Sequence, residues 1–325
     1  MTVVFYSTNA AHYNTCAFEM YTLPRRAAQW QHLVHKYPQH HFIVATQEPA
    51  FFLFDGEDCS SIVQCVLLQG STAHELAQEL LALQPELAIA ASFWHTPYDW
   101  LGLQDSLIAE ELRARGVQTL CHPVQTALDC FDKYRTHCLL QRYDIQQFGF
   151  AVPKSVYVHH QLFWCERGHC GEIKNNVYKE YILQQIQNLH FPVIIKDTCG
   201  ISSYGAEVAV SYKQAVHYLR SGRTQSDRIV QEFIGGVQCG VEVYGRAGLY
   251  TVLPPLAFSV NRYGITSPKQ SIKLGPISHA TYNVQELCAG MKQLAQLLHC
   301  NGSMQVDLIF SSGRWYIIEI NARLS

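Results

Sequence analysis

The apolar positions fall into two regimes. In about the first 120 residues, short apolar runs of strand length alternate with segments of helical period. Thr2 to Tyr6, Phe42 to Ala45, Leu87 to Ser92 and Val117 to Cys121 read as buried strands. Between them, Pro24 to Lys36 reads as a helix with proline near its start, and Ser106 to Arg115 as a helix stopped by Gly116. Thr72-Ala-His-Glu75 has the spacing of a capping box, predicting a helix that runs to about Leu83. Such alternation predicts a parallel sheet of the α/β class.

Beyond about residue 124 the pattern changes. Helices are expected over Phe131 to Tyr143, Val177 to Leu189, Lys213 to Arg220 (with Ser211 as N-cap) and Val284 to His299. Short strands are expected at Val156 to Val158, Val193 to Lys196 and Val208 to Val210. Strands then dominate: Arg228 to Phe233, Gly240 to Tyr244, Tyr250 to Leu253, Met304 to Phe310 and Trp315 to Ile320. This part is α+β in character.

Length and composition narrow the class. The 325 residues suffice for about two domains. Apolar residues make up 48% and charged residues 15%, the balance of a globular chain and not of a disordered one. The net charge of −2 argues against a dedicated nucleic-acid binder. No apolar run approaches the roughly 20 residues of a membrane span, and the N-terminus reads as a first strand instead of a signal peptide. Residues 1–100 carry three basic and nine acidic side chains, and residues 101–325 carry 21 and 17, so an anionic ligand is expected on the second part.

The twelve cysteines contain no C-x-x-C pair, so free thiols in a reducing cytoplasm are expected. Cys165-Glu-Arg-Gly-His169-Cys170 lacks the further ligands that zinc requires, and the polar stretch 165–176 reads as a solvated loop. No G-x-G-x-x-G follows any early strand, which leaves a dinucleotide site there unsupported.

Three stretches carry candidate chemistry. In Pro192-Val-Ile-Ile-Lys196-Asp-Thr-Cys199-Gly200-Ile-Ser202-Ser203-Tyr-Gly205, a strand delivers a lysine into a Gly/Ser loop. Backbone N–H groups, hydroxyls and a point charge suit a phosphate. The loop reads equally well as a hairpin turn. In Val230-Gln231-Glu232-Phe233-Ile234-Gly235-Gly236-Val237-Gln238, a strand ends in two glycines; its edge could pair with adenine, or it is an ordinary turn. The sharpest stretch joins Gln305-Val-Asp307 to Ile317-Ile318-Glu319-Ile320-Asn321-Ala-Arg323, with Gly313 at the tip. An antiparallel hairpin makes Asp307 and Glu319 neighbours and sets Glu319 and Asn321 on one face. Two carboxylates and an amide oxygen form a hard-oxygen set for Mg²⁺ or Mn²⁺. A carboxylate flanked by three isoleucines calls for a partner.

The ordered set Lys133, Lys196, Gly/Ser loop, Gln-Glu-Phe-Ile, Asp307 and Glu319-x-Asn321-x-Arg323 resembles the ATP-grasp superfamily. Within it the likeness is to the carboxylate–amine ligases near carbamoyl-phosphate synthetase and D-alanine–D-alanine ligase, over roughly residues 85–325. Asp132-Lys133 followed by Gly149-Phe-Ala-Val-Pro153 resembles the family's entry to the grasp domain. The resemblance implies a Rossmann-like pre-ATP-grasp α/β domain over residues 1–123. An ATP-grasp domain of two α+β subdomains would follow over 124–325, divided as 124–228 and 229–325.

The resemblance also implies roles. Lys133 and Lys196 would hold the ATP phosphates, and Ser202, Ser203 and Gly205 would close over them. Gln231, Glu232, Phe233 and Ile234 would meet adenine, with Ile194 and Ile318 on its faces. Asp307, Glu319 and Asn321 would bind magnesium, with two ions expected. Arg323 would steady the carboxylate or acyl phosphate. Lys273 is a further catalytic candidate, in the polar, turn-rich stretch 261–276, which reads as a loop over the site or as a solvated one. Gln238 stands where the family usually has a ribose-gripping glutamate; a shifted register would hand that role to Glu242. Gln305 stands where D-alanine ligases carry an arginine. Relatives usually continue past the magnesium motif, so the chain is either a short member or a part.

The implied activity is ATP-dependent formation of an amide from a small-molecule carboxylate and an amine, through an acyl phosphate. A small-molecule kinase and a non-catalytic ATP-binding protein are the alternatives. No nucleic acid and no membrane partner is expected, a homodimer is allowed, and the cytoplasm is the expected location.

Overall fold

The computed structural model describes residues 1–8, 26–47, 60–92, 101–165, 175–200, 206–221, 226–260 and 272–323. The first third contains β1 (Thr2–Ser7), α1 (Arg26–Lys36), β2 (His41–Thr46), β3 (Gln64–Leu67), α2 (Ala73–Ala82), β4 (Leu87–Ala90), α3 (Leu101–Ala114) and β5 (Gln118–Leu120). The strands form one parallel sheet in the order β3-β2-β1-β4-β5. Val3, Phe42 and Val44 face one core with Trp30 of α1. Val4, Tyr6 and Ile43 face the other, with Leu76 and Leu80 of α2 and Ile108 and Leu112 of α3. Alternate residues thus bury on opposite faces, as the continuous apolar runs require. The capping box forms as expected: Thr72 accepts from the Glu75 backbone N–H while the Glu75 carboxylate accepts from Thr72 N–H.

The chain then runs through α4 (Val124–Phe131), α5 (Lys133–Arg142), β6 (Phe150–Ala151), β7 (Ser155–Val158), α6 (His160–Phe163), α7 (Val177–Gln187), β8 (Val193–Asp197), β9 (Glu207–Ala209), α8 (Tyr212–Leu219) and β10 (Arg228–Glu232). A four-stranded antiparallel sheet results, ordered β7-β10-β8-β9. Ser211 caps α8 by accepting from Gln214 N–H. The single helix expected over 131–143 is corrected here. Asp132 is extended (φ −105°, ψ 121°), and its side chain accepts from the N–H groups of Tyr134 and Arg135. It therefore ends α4 and caps α5, because a short carboxylate satisfies first-turn donors better than a continued helix would. Lys133 becomes the first residue of α5.

The last third contains β11 (Val237–Arg246), β12 (Leu249–Val252), β13 (Leu256–Phe258), β14 (Lys273–Leu274), α9 (Val284–Leu297), β15 (Asn301–Ser311) and β16 (Arg314–Asn321). The sheet order is β14-β13-β11-β15-β16-β6, with β12 also paired to β11. β11 starts at Val237, three residues before the expected Gly240, since the Gly235-Gly236 turn ends sooner. Cys239, Val241, Val243, Met304, Val306 and Leu308 pack one face of this sheet onto Leu287, Met291 and Leu294 of α9. Each fully buried side chain of this size contributes roughly 1.5–3 kcal/mol.

His122 ties the first sheet to the last. Its Nε2 lies 2.6 Å from the Ser303 carbonyl oxygen, and its Nδ1 accepts from Asn301 N–H at 3.3 Å. One donor and one acceptor define the neutral Nε2–H tautomer, and burial lowers the pKa in the same direction. Thr126 of α4 donates to the Leu298 carbonyl oxygen at 2.7 Å, a second tie.

Candidate active site

The face of the last sheet opposite α9 is polar, and it is organised in rungs. Across β11, β15 and β16, Gly240 pairs with Asp307 and Asp307 with Glu319. The next rung joins Glu242, Gln305 and Asn321, about 7 Å along the strands. The hairpin turn is Ser312-Gly313, both at positive φ (49° and 77°), the two-residue loop that the twist of paired strands favours.

A register shift between Asp307 and Leu308 decides what faces the site. In a regular strand Ile317 and Glu319 would share a face. Leu308 pairs instead with Ile317, and Ile318 is the extra residue. Ile317 and Ile320 are therefore buried in the α9 core while Glu319 faces the cleft. This resolves the question of a carboxylate flanked by isoleucines, and a bulge is the device that re-aims side chains in this way.

Asp307 and Glu319 place two negative charges on adjacent strands. Burial and the Glu319 charge push the Asp307 carboxyl up to about 7, against the pull of Lys273, Arg323 and Lys196. Asp307 keeps some solvent access, yet the cleft walls take much of its hydration. Gln305, itself buried, donates from Nε2 to Asp307 Oδ1 at 3.2 Å. Arg323 donates from Nη2 to Asn321 Oδ1 at 3.2 Å.

The two lysines arrive from other elements. Lys196 is the last residue but one of β8, on the face opposite the buried Val193 and Ile195. Burial lowers its pKa to about 8, Glu319 opposing and Lys133 adding to the shift. Lys133 Nζ donates to the Gly200 carbonyl oxygen at 2.7 Å and lies 3.4 Å from Glu319 Oε1. Its backbone N–H donates to the Thr198 carbonyl oxygen at 2.8 Å. The start of α5 is thereby fastened to the end of β8. Tyr134 holds it from the other side, stacked on Tyr157 at 4.5 Å, and Tyr157 OH donates to Asp227 Oδ2 at 2.6 Å.

A narrow slot opens between β10 and the β16 bulge. Lys133, His137, Leu140, Ile229, Gln231 and Ile318 are among its lining residues, and Lys196 stands at it as well. Sequence reading found Gln231, Ile318 and the two lysines. It missed His137, Leu140 and Ile229. Lys133, His137 and Leu140 stand at i, i+4 and i+7, so the period of α5 was the available signal.

The hinge residues divide. Gln231 is buried and donates to Ser155 Oγ at 3.0 Å. The Glu232 carboxylate turns from the slot and accepts from the His190 backbone N–H at 2.9 Å, with His190 Nδ1 at 2.8 Å. The Glu232 side chain is thus committed to His190. Phe233 and Ile234 lie between β10 and the Gly turn, and Phe233 N–H donates to the Pro192 carbonyl oxygen at 3.0 Å. Ile194 pairs with Gln231 across β8 and β10. Gln238 pairs with Ile309, next to the hinge, whereas Glu242 lies two rungs further along β11, past Asp307.

Lys273 on β14 sits over the Phe258 ring, its Nζ 5.5 Å from the centroid. The Phe258 ring presses on Gly240, where an added Cβ would come 2.3 Å from Cζ. Only glycine at this rung lets the ring lie beside Asp307 and carry Lys273 to it. Phe258 was not recognised in the sequence. Ser202, Ser203 and Gly205, and the 261–271 part of the 261–276 loop, lie outside the described residues. So does most of the 165–176 stretch, including His169 and Cys170.

The donor set fits a hard divalent ion. Among the described residues no three His, Cys, Asp or Glu side chains converge. Asp307, Glu319 and Asn321 supply two carboxylates and an amide oxygen, and Mg²⁺ is commonly held by one or two carboxylates with substrate phosphates and water completing its shell.

Residues 171–325 match the family described as ATP-grasp domain. That stretch is an ATP-grasp domain. Solved structures share its fold over nearly the whole length. The ADP complex of an N5-carboxyaminoimidazole ribonucleotide synthetase has a TM-score of 0.64 at 14% identity, covering 100% of this chain and 70% of that one. D-Alanine–D-alanine ligase from Bacillus anthracis complexed with ATP has a TM-score of 0.59 at 13% identity, covering 99% and 86%. L-Amino acid ligase from Bacillus licheniformis has a TM-score of 0.59 at 15% identity, covering 100% and 67%. At these identities the likeness is one of fold. The ATP-grasp match takes in Lys196, the hinge and the Asp307–Glu319 hairpin, whereas Lys133 lies before it.

Proposed function

We propose that this ATP-grasp chain is an ATP-dependent ligase that joins a small-molecule carboxylate to an amine through an acyl phosphate. The observation that carries the reading is the convergence of Lys133 and Lys196, from two different elements, on the paired carboxylates Asp307 and Glu319. A protein that needed only an apolar slot for a nucleotide would gain nothing from two half-buried like charges beside two lysines.

Adenine enters the slot of Ile229 and Ile318 and meets the backbone of the hinge, Glu232 to Ile234. Gln238 faces the ribose. Lys133 and Lys196 take the phosphates, and Lys133 exchanges Glu319 for phosphate as it does so. Mg²⁺ at Asp307, Glu319 and Asn321 would neutralise charge on the phosphates. The substrate carboxylate attacks the γ-phosphorus, and the β,γ-bridging oxygen leaves with its electron pair on ADP. Arg323 holds the carboxylate and then the acyl phosphate through its planar fork. Positioning and preorganised charge carry the rate, as in other phosphoryl transfers. Ser202, Ser203 and Gly205 are proposed to cover the phosphates, which would keep water from the acyl phosphate.

The boundaries 1–123, 124–228 and 229–325 stay with this reading as proposed domains. A cytoplasmic location is proposed with this reading; Cys121, Cys130, Cys138, Cys199, Cys239, Cys288 and Cys300 form no disulfide, and no described helix is long and apolar enough to cross a membrane. The test is Arg323→Lys. It should impair product formation well beyond any loss in ATP affinity, since an ammonium cannot reproduce a bidentate contact. A parallel fall in nucleotide affinity and turnover would count against the assignment.

A further inference from the structure

The rung beyond the metal carboxylates has a composition that the nucleotide leaves unexplained. Glu242, Gln305 and Asn321 stand side by side across β11, β15 and β16, one rung past Gly240, Asp307 and Glu319. Gln238 lies on the other side of that metal rung. A nucleotide reaching from the hinge past Gln238 to Asp307 therefore ends before Glu242. The second rung is where groups on the far side of the γ-phosphate must lie.

Glu242 is an anion in this place without a cationic partner among the described residues. Its Oε2 accepts from Tyr244 OH, at 2.5 Å, on the same strand face. Ser303, opposite Tyr244, continues the polar face. Arg323 is turned to Asn321 Oδ1, at the other end of the rung. The rung thus has a positive end at Arg323 and a negative end at Glu242, with the neutral amide of Gln305 between them. Neighbouring strands stand about 4.8 Å apart, so across β11, β15 and β16 the two ends are roughly 10 Å from each other. That span suits two small molecules meeting head to head: a carboxylate at Arg323 and an ammonium group at Glu242.

We propose that Glu242, oriented by Tyr244, binds the ammonium group of the amine substrate, so that the second substrate enters as a cation. The inference rests on the ligase reading above. The ammonium gives one proton to the Glu242 carboxylate. The freed nitrogen attacks the acyl carbon, the carbon–oxygen bond to phosphate breaks with its electron pair on the phosphate, and the second nitrogen proton passes to that phosphate. The third N–H stays in the amide, so protons and charge balance. Tyr244 acts as a positioning residue.

Hydroxylamine separates this step from the one before it. It is uncharged near neutral pH and traps an acyl phosphate as a hydroxamate without an ammonium site. An equimolar pool of the proteinogenic amino acids, with ATP and Mg²⁺, supplies carboxylates and amines; hydroxamate and amide products are then quantified separately. Glu242→Gln should lose amide formation by at least about tenfold more than hydroxamate formation, and the KM for the pool should rise while that for ATP holds. Glu242→Asp should recover part of the amide yield, because it keeps the charge. Tyr244→Phe should raise the KM for the pool with a smaller loss, and its melting temperature reports whether the strand face is intact. Equal losses with both nucleophiles in Glu242→Gln, or a fall in ATP affinity, would overturn the assignment of Glu242 while leaving the ligase reading in place. A parent protein that yields neither hydroxamate nor amide would remove the ligase reading, and this inference with it.

Discussion

Lys133 Nζ stands 3.4 Å from Glu319 Oε1, and the side chains are only 11% and 25% exposed. This contact joins the start of α5 to the β15–β16 hairpin, so the lysine proposed for phosphate is paired with a carboxylate proposed for metal. Burial, with the Glu319 charge added to it, raises the pKa of Asp307 against the pull of Lys273, Arg323 and Lys196.

That shift sets a pH dependence. The Asp307 carboxyl titrates near 3.8 in the unfolded chain and at about 7 in the folded one. The folded state holds the proton that the unfolded state has lost, so this group lowers the stability of the metal-free protein as pH rises from about 4 to about 7. Asp307→Asn should raise the melting temperature in EDTA at pH 7.5 and leave it little changed at pH 4. The same variant should lose Mg²⁺-dependent activity. Melting curves with EDTA at both pH values check this, and a variant less stable than the parent at pH 7.5 would refute it.

Lys196 carries the second pH signature. With its pKa lowered to about 8, the free protein loses this charge as pH passes that value. ATP affinity should therefore weaken between pH 7 and pH 9, and Lys196→Arg should flatten the profile because guanidinium stays charged. Lys196→Ala should cut turnover by roughly a hundredfold or more without unfolding the chain. Near-parent phosphate release by Lys196→Ala would sink the assignment.

Gly240 offers a steric test. A methyl group there meets the Phe258 ring at 2.3 Å, so Gly240→Ala must displace the ring and the Lys273 that rides on it. Turnover should fall by up to about a hundredfold, the scale of a misplacement near 1 Å. Adding Phe258→Leu to Gly240→Ala should restore part of it. A double variant no better than the single would show that Phe258 is not the cause.

Much of this site is visible in the sequence, and the misses have physical causes. Asp307, Glu319 and Gly313 stand in one hairpin, where period and turn chemistry are local. The bulge at Ile318 is not, since it is defined by the register of a partner strand. The Asp132 cap was missed because the expected helix was begun at Phe131, two residues before α5 starts, and α4 was not expected. His137 enters the slot because α5 packs against β16, and Ile229 because β10 pairs with β8. Phe258 is on a three-residue strand whose existence depends on the edge of β11.

Gln238 places a neutral amide beside the expected ribose. A glutamate would accept from both hydroxyls with charge assistance, so the present grip should be weaker by about 1 kcal/mol. Discrimination between ATP and 2′-deoxy-ATP should be mild, and Gln238→Glu should tighten ATP more than 2′-deoxy-ATP. Titration of both nucleotides checks the pair. A large loss of ATP affinity in Glu242→Gln, with none in a Gln238 variant, would shift the ribose contact to Glu242.

The most direct test of the central claim is a product balance with ATP, Mg²⁺ and the amino-acid pool. The account predicts ADP and phosphate in equal amounts, matched by amide product, and abolished together by Lys196→Ala. ADP formed with a phosphorylated hydroxyl compound and no free phosphate would make the protein a kinase, and no ADP at all across the pool would contradict the account.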